Sequence, residues 1–326
     1  MKYFEGNWSK VVVFITWTIL LLPLSAINPP NKGSFPLNFW EVMRNRGVGI
    51  DYGDPGWKKK IHDWSITGNR NTQLEFHIPV LLGKYANATS YFNAVDFQNL
   101  LFDNNPDGSM KEYYAEISYG NFLVDGVAGG WYQSTYTMEQ AEQNTRGYVA
   151  EVVQLADPDY DFSQYDNDGP DNVPNSGDDD GFVDGIIVVY SGCGAEVNEG
   201  NNNIWPHQSS LNNDQYQTND PSANGGYVIV NTYAVCPELS GGGDCSTDYI
   251  RPIGVYAHEF GHVLGLPDLY DRDNSSAGIG SWCLMASGSH NGGLGTIPAH
   301  MSAWCKMQMN WLDPAVLTND AVDFTF

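Results

Sequence analysis

The fold is decided by one short stretch, His258-Glu259-Phe-Gly-His262-Val-Leu-Gly265-Leu-Pro-Asp268. Side chains four residues apart lie on one face of a helix, so His258 and His262 can bind the same metal ion. Glu259 can point toward a water on that ion. Gly265 supplies a break where the chain leaves the helix, and Asp268 can return as a third ligand. Three protein ligands with an open fourth position are typical of a catalytic zinc site, whereas a structural site is closed.

A bare H-E-x-x-H motif also arises by chance on helices whose histidines only pack or cap. The extension to H-E-x-x-H-x-x-G-x-x-D is more restrictive. The helix also carries a stripe of small or apolar residues at Ile253, Ala257, Gly261 and Leu264. This stripe can be buried while the candidate ligands face a cleft, so the pattern favours a metal site over coincidence.

Residues after the motif narrow the class of site. No Glu follows Glu259 in this sequence, which within this chain excludes a third ligand from a glutamate on a later helix. His290 and His300 lack the spacing that follows the glycine turn. Met285 comes after the zinc motif as the methionine turn does in metzincin-like sites, although a lone methionine is more often ordinary core packing.

The sequence resembles the immune inhibitor A-like family of secreted bacterial zinc metallopeptidases over most of residues 76–312. The resemblance is carried by His258–Asp271, Trp282–Gly288, Pro298–Leu312 and, earlier, by blocks within Phe76–Trp131. It implies that His258, His262 and Asp268 bind zinc. It also implies that Glu259 is the general base and that Met285 marks the methionine turn. It further implies a zinc metalloendopeptidase that hydrolyses peptide bonds with metal-activated water.

We expect an α+β fold of the zincin or metzincin type, with a mixed twisted sheet, an active-site helix and a smaller C-terminal subdomain. Apolar runs predict strands at residues 74–84, 184–190 and 227–235, and helical spacing occurs at 94–102, 109–118, 138–155 and 298–311. Residues 227–235 are the candidate for an edge strand that pairs with an extended substrate.

An Asp-rich loop precedes the second of these strands. It contains Asp166-Asn-Asp168-Gly and, after an inserted stretch Pro170–Asp179, Asp180-Gly-Phe-Val-Asp184. Calcium prefers about six to eight oxygen ligands, and D-x-D-G loops present carboxylates at alternate positions. We therefore predict calcium at Asp166, Asp168, Asp180 and Asp184. A disordered acidic loop is the alternative, since the last glutamate of an EF-hand is missing.

The charge is distributed unevenly along the chain. Residues 1–70 hold nine Lys or Arg against five Asp or Glu, a net of +4, whereas residues 71–326 hold six against 34, a net of −28. Such an acidic body argues against nucleic acid or an anionic membrane as a partner. The partners expected are protein or peptide substrates.

The N-terminal region has the pattern of an exported protein. Two lysines precede the apolar run Val11–Leu22, which predicts a signal peptide over residues 1–26 and a secreted location; an uncleaved anchor is the alternative. Residues 27–72 form a basic segment that is either an inhibitory propeptide or an N-terminal wrap without that role. The catalytic domain is predicted at 73–312, and residues 313–326 are predicted to be the start of a further, truncated C-terminal segment.

Five cysteines leave at least one thiol without a partner inside the chain. Cys236 and Cys245 enclose a flexible turn, so a local disulfide between them is the expected pairing. Cys283, beside Met285, and Cys305 are a second candidate pair. Besides the endopeptidase, two functions stay open: a catalytically silent peptidase homologue that binds other molecules, and a calcium-stabilised surface domain.

Overall fold

The computed structural model describes residues 55–66, 73–103, 105–197, 203–241, 245, 249–271 and 275–313. The predicted signal peptide, most of the predicted propeptide and nearly all of the predicted C-terminal segment lie outside the described residues. Among the helices that are described, none is long and apolar enough to cross a membrane.

Helices and strands alternate through most of the described chain. The helices are α1 (Pro55–Ile66), α2 (Ala94–Leu101), α3 (Met110–Ile117), α4 (Met138–Gln143), α5 (Thr145–Ala156), α6 (Ile253–Val263), the short α7 (Asn291–Leu294) and α8 (Ala303–Gln308). The strands are β1 (Leu74–Lys84), β2 (Phe122–Gln133), β3 (Ile186–Cys193), β4 (His207–Ser210), β5 (Tyr216–Pro221), β6 (Tyr227–Val230) and β7 (Thr232–Leu239).

Five of these strands form one mostly parallel sheet in the order β2-β1-β3-β7-β4. The pairs β1–β2, β1–β3 and β3–β7 are parallel, and only β4 runs antiparallel to its neighbour β7. Strands β5 and β6 form a separate antiparallel pair. The expected mixed α+β architecture is therefore confirmed, with the sheet largely parallel.

The sheet is buried on both faces because its central strands are almost entirely apolar. In β1, Ile78 and Val80 pack into one core, whereas Leu81 packs into the other. Side chains that alternate along a strand point to opposite faces, so one strand serves both cores. The first core contains the apolar residues of α2, α3 and α6, and the second contains those of α5.

Local capping fixes where α2 and α3 begin. Asn93 and Asp96 form a reciprocal capping box at the start of α2, and Ser109 and Glu112 do the same for α3. Each box satisfies two backbone N–H groups that a helix start leaves without partners. The start of α3 sets the position of Tyr114, which reaches the helix that carries the candidate ligands.

The segment predicted as one edge strand, residues 227–235, is two strands in two sheets. The break is at Asn231, whose carbonyl accepts from the Leu211 N–H and whose side chain accepts from the Asn212 N–H. Before it, β6 pairs with β5; after it, β7 lies inside the main sheet between β3 and β4. The edge strand beside β7 is β4, so the prediction for residues 227–235 was wrong.

Candidate metal centre

The helix α6 is held rigidly because all eleven of its residues are buried. Phe260 packs edge-on against Phe76 and Tyr114, with ring centroids 5.0 and 5.1 Å away. The Tyr114 hydroxyl donates to the Ala257 carbonyl at 2.7 Å, one residue before the first candidate ligand. These contacts leave the opposite side of the helix to carry the polar residues of the site.

A left-handed turn returns the chain to this helix. Gly265 has φ +92°, a conformation that glycine adopts without the steric penalty of a side chain. Its N–H donates to the His262 carbonyl at 2.8 Å, and the next N–H, of Leu266, donates to the Gly261 carbonyl. A Cβ on Gly265 would also overlap the side chain of Lys58. The turn places Asp268 beside the histidines, as the spacing predicted.

The three predicted ligand atoms form a nearly equilateral triangle. Nε2 of His258 and Nε2 of His262 are 3.2 Å apart, and Oδ1 of Asp268 lies 3.2 Å from each of them. Ligands about 2.0–2.2 Å from a tetrahedral zinc ion are separated by roughly 3.3–3.5 Å. The described residues therefore fit a zinc ion of this coordination.

Backbone carbonyls orient both imidazoles. Nδ1 of His258 is 2.8 Å from the Leu284 carbonyl, and Nδ1 of His262 is 2.7 Å from the Leu266 carbonyl. Because a carbonyl oxygen can only accept, each Nδ1 carries the proton, and each Nε2 presents its lone pair to the centre of the triangle. This tautomer is the one that binds a metal through Nε2.

The electrostatics of the triangle favour an ionised aspartate. Burial alone would raise the pKa of Asp268, but His262 and His258 outweigh it and hold that pKa well below its usual range. The carboxylate is thus available as an anionic ligand. Glu259, beside the first histidine, is fully buried, and its charge adds to the effect of burial in raising the pKa of the Cys236 thiol on β7.

Met285 lies beneath the candidate ligands. A Cβ on Gly261 would come within 2.5 Å of the Met285 sulfur, so the missing side chain of this glycine makes room for the methionine. The Met285 carbonyl accepts from the Leu269 N–H at 2.7 Å. The methionine therefore contacts the helix between the two histidines and also ties down the residue that follows Asp268.

Comparison with known proteins agrees with this geometry. Residues 76–313 match the family described as "Immune inhibitor A peptidase M6, catalytic domain". The chain belongs to this family. The pre-pro-metalloprotease PrtV of Vibrio cholerae serotype O1 is 31% identical over 243 residues, which is 64% of this chain and 25% of that protein. Immune inhibitor A of Bacillus thuringiensis subsp. alesti is 28% identical over 250 residues, 65% of this chain and 34% of that protein.

Membership of the immune inhibitor A family confirms the resemblance predicted from the motif and the Phe76–Trp131 blocks. It makes the domain that of a metallopeptidase family. The chain spans only about a quarter to a third of the length of these two relatives.

A second group of acidic side chains lies in the Asp-rich loop of this family member. Carboxylate oxygens of Asp166, Asp168 and Asp179 lie within 4.8 Å of one another. Asp180 lies alongside, with its N–H donating to Asp168, and Asp184 accepts from the Asn167 N–H. Two predicted residues thus meet at the centre of the group. The prediction missed Asp179, because it assigned this residue to the inserted stretch Pro170–Asp179.

The acidic loop is electrostatically crowded. Burial, then repulsion from Asp179 and Asp180, raises the pKa of Asp166 to about 8. Burial, then repulsion from Asp180, raises the pKa of Asp168 to about 6. These carboxylates resist ionisation unless positive charge is nearby, which is the electrostatic setting of a cation site.

One lysine of α1 supplies part of that positive charge. Nζ of Lys60 donates to the Asn167 carbonyl at 2.5 Å and lies 3.4 Å from the Asn167 side-chain oxygen. Lys60 is 6% exposed, and Trp57 of the same helix is completely buried against Phe76. Helix α1 is the described part of the predicted propeptide, and here it packs on the body of the domain.

The predicted disulfide between Cys236 and Cys245 is wrong. Cys245 is bonded to Cys193, 52 residues earlier in the chain, with a Cα–Cα distance of 5.4 Å. Cys193 ends β3, whereas Cys236 lies within β7, where its thiol is buried in the core. Because the Cys236 side chain is fixed in the core, it is not placed to bond to Cys245. Nearness in sequence therefore predicted the wrong partner.

Proposed function

We propose that this chain contains the catalytic domain of a secreted zinc-dependent endopeptidase. The observation that carries the proposal is the triangle of ligand atoms from His258, His262 and Asp268, with Glu259 beside it. Two imidazole nitrogens and one carboxylate oxygen are a donor set typical of catalytic zinc. The family and its metalloprotease relatives support peptide substrates.

Bound zinc would supply Lewis acidity and lower the pKa of a water ligand to about 7. The residues of the chain supply the remaining steps. Glu259 takes the proton of the attacking water and then delivers it to the nitrogen of the leaving amine. The Leu284 and Leu266 carbonyls keep the imidazoles in place during this exchange. Burial of α6 gives the site a low local dielectric, which strengthens these electrostatic interactions.

We also propose that the acidic loop binds calcium through Asp166, Asp168 and Asp179, with Asp180 and Asp184 as further ligands. Asp166 is almost fully buried, and its Oδ1 has no hydrogen-bond partner in the part of the chain that the structure describes. A buried carboxylate oxygen in this state is costly unless a cation binds it. Calcium, which takes many oxygen ligands, suits a loop of five carboxylates.

Export and latency complete the proposal. A leader over residues 1–26 and a propeptide over 27–72 would make the chain a secreted zymogen, and the Vibrio relative bears the name pre-pro-metalloprotease. Support from the described residues is the docking of α1 through Trp57 and Lys60. Such a docked helix must be released or rearranged if it restrains the enzyme.

The decisive experiment compares the purified chain with Glu259→Gln and with Glu139→Gln, an exposed control. We expect one zinc ion per chain in all three proteins. After limited proteolysis of the N-terminal segment, casein should be cleaved by the wild type and by Glu139→Gln but not by Glu259→Gln. Equal cleavage by all three would exclude Glu259 as the base. A processed wild type that holds zinc but cleaves nothing would favour the silent homologue.

A further inference from the structure

Two cysteines outside the disulfide lie together under the candidate metal centre. Sγ of Cys283 and Sγ of Cys305 are 4.0 Å apart, and both residues are fully buried. Cys283 lies two residues before Met285, and Cys305 belongs to α8. The pair is separated by 22 residues in sequence, so packing of the fold brings the two thiols together.

Hydrogen bonds from neighbouring residues hold the two thiols in place. The Ser302 N–H donates to Cys283 Sγ at 3.2 Å, and the Ser302 hydroxyl donates to Cys305 Sγ at 3.3 Å. The Leu284 N–H donates to the His300 carbonyl at 3.3 Å, which ties together the two segments that bear the cysteines. Closing the gap to the roughly 2.05 Å of a disulfide requires side-chain rotation and a small shift.

The presence of another disulfide in the chain favours oxidation of Cys283 and Cys305 to a disulfide. The Cys193–Cys245 disulfide implies maturation in an oxidising compartment, because such bonds do not persist where thiols are kept reduced. In the same compartment two neighbouring thiols oxidise readily once they can meet. Cys236 is buried elsewhere, on β7 beside Glu259, and is therefore left as the single thiol that the odd count demands.

We propose that Cys283 and Cys305 form a second disulfide that fastens the Met285 turn to α8. One thiolate attacks a small-molecule or enzyme disulfide and displaces a thiolate from it, giving a mixed disulfide. The second cysteine attacks the mixed disulfide and releases the other oxidant thiolate. The two cysteines lose two protons and two electrons, and the oxidant disulfide is reduced to two thiols. This inference does not depend on the proposed function.

The bond would bear directly on the candidate metal centre. Cys283 is bonded through the backbone to Leu284, whose carbonyl orients His258. The loop closed by the bond contains Met285, which contacts the helix between the histidines. Fastening this loop restricts it in the unfolded chain and in local openings, so the bond should raise the melting temperature.

Trypsin separates the two groups of cysteines. No Lys or Arg lies between Arg272 and Lys306, so one peptide, residues 273–306, carries Cys283 and Cys305. Residues 147–272 form another, because trypsin does not cleave the Arg251–Pro252 bond, and this peptide carries the remaining three cysteines. The full-length chain, isolated from an oxidising compartment, is denatured without reductant, treated with N-ethylmaleimide and digested.

The expected result is a 273–306 peptide that takes up no maleimide and weighs two hydrogen masses less than the dithiol. The other peptide should take up one maleimide, on Cys236. Prior reduction is the control and should allow maleimide on all five cysteines. Two maleimides on the 273–306 peptide of the unreduced protein, or a bond from Cys236 to either of its cysteines, would overturn the proposal.

A variant gives a second, independent readout. With Cys305→Ser, Cys283 should become reactive to maleimide after denaturation, and the unreduced variant should melt several degrees below the wild type. Cys236→Ser is the matched control and should leave the 273–306 peptide oxidised. If Cys283 stays unreactive in Cys305→Ser, its partner is a different group and the assignment is wrong.

Discussion

The candidate metal centre and the acidic loop each gather three candidate ligand residues, but the two groups are held in different ways. In the metal centre, two candidate ligands come from one buried helix, carbonyl groups orient both imidazoles, and the two Nε2 atoms are 3.2 Å apart. In the acidic loop, burial and then repulsion between neighbouring carboxylates raise the pKa of Asp166 to about 8. The first group is organised by its own scaffold, whereas the second would need a cation to offset its repulsion.

The largest effect should come from removing the ligand that the glycine turn delivers. Asp268→Ala leaves both histidines in place but opens the triangle, so we expect zinc to be lost. Peptidase activity should fall by roughly a thousandfold, since the metal supplies several kcal/mol and each 1.4 kcal/mol is tenfold. Zinc content and casein cleavage are measured beside the exposed control Asp107→Ala. Retention of zinc by the variant would mean that the two histidines suffice.

In the acidic loop, by contrast, removing a carboxylate should not destabilise the protein when calcium is absent. Burial raises the pKa of Asp166 to about 8, so its stabilising contribution in cation-free protein is lost as pH rises from about 4 to about 8. Asp166→Asn removes this pH-dependent contribution and with it a calcium ligand. We expect the variant to match or exceed the wild-type melting temperature at pH 8 in chelator, and to gain little from calcium.

Melting curves from pH 5 to pH 9, with and without calcium, test this expectation. The wild type should be stabilised by calcium most strongly near pH 8, where the carboxylates have lost their protons. The exposed substitution Asp107→Asn is the control. A wild-type melting temperature that ignores calcium at every pH would contradict calcium binding by the loop.

The positive charge of Lys60 should weaken calcium binding by the acidic loop. Lys60→Met removes a positive charge that faces the loop, so calcium affinity should rise by on the order of tenfold. Lys59→Met, on the exposed neighbouring residue, should leave the affinity unchanged. Isothermal titration measures both. A weaker calcium affinity in Lys60→Met would mean that the Asn167 contact organises the loop more than the ammonium charge opposes the ion.

The smallest effect is expected from a substitution in the turn between α6 and Asp268. Gly265→Ala introduces a side chain at φ +92°, which costs about 1–2 kcal/mol. We expect a lower melting temperature and a modest loss of zinc affinity, because the strain acts on the segment that delivers Asp268. Chemical denaturation and zinc competition measure the two effects. An unchanged zinc affinity would show that the triangle tolerates a shift of this turn.

The two groups also differ in how far the sequence predicted them. The triangle follows from the periodicity of one helix and one glycine turn, so its three ligands could be placed from spacing alone. In the acidic loop, an inserted stretch folds back and brings Asp179 to Asp166 and Asp168. Spacing cannot report the path of an insertion, and Asp179 was missed for that reason.

The same distinction holds for the fold. The largely apolar sequence of β1 predicted its bounds, Leu74–Lys84, without error. The glycine-rich β2 gave no strand signal, because it is stabilised by pairing with β1 and by Gln98, whose amide bridges the Gly126 carbonyl and the Ala128 N–H. The Cys193–Cys245 bond was likewise set by the strand order, which no local pattern encodes.

Helix α1 contacts the segments that carry both groups of candidate ligands. Lys60 reaches the acidic loop, while the Lys58 side chain lies against Gly265 in the turn that delivers Asp268. An ion that moved α1 at one of these contacts would therefore also act on the other. Thermodynamic linkage is reciprocal, so any factor by which calcium changes the affinity for zinc is also the factor by which zinc changes the affinity for calcium. Lys58 and Lys60, two positions apart on one helix, would thus couple the occupancies of the two proposed ions.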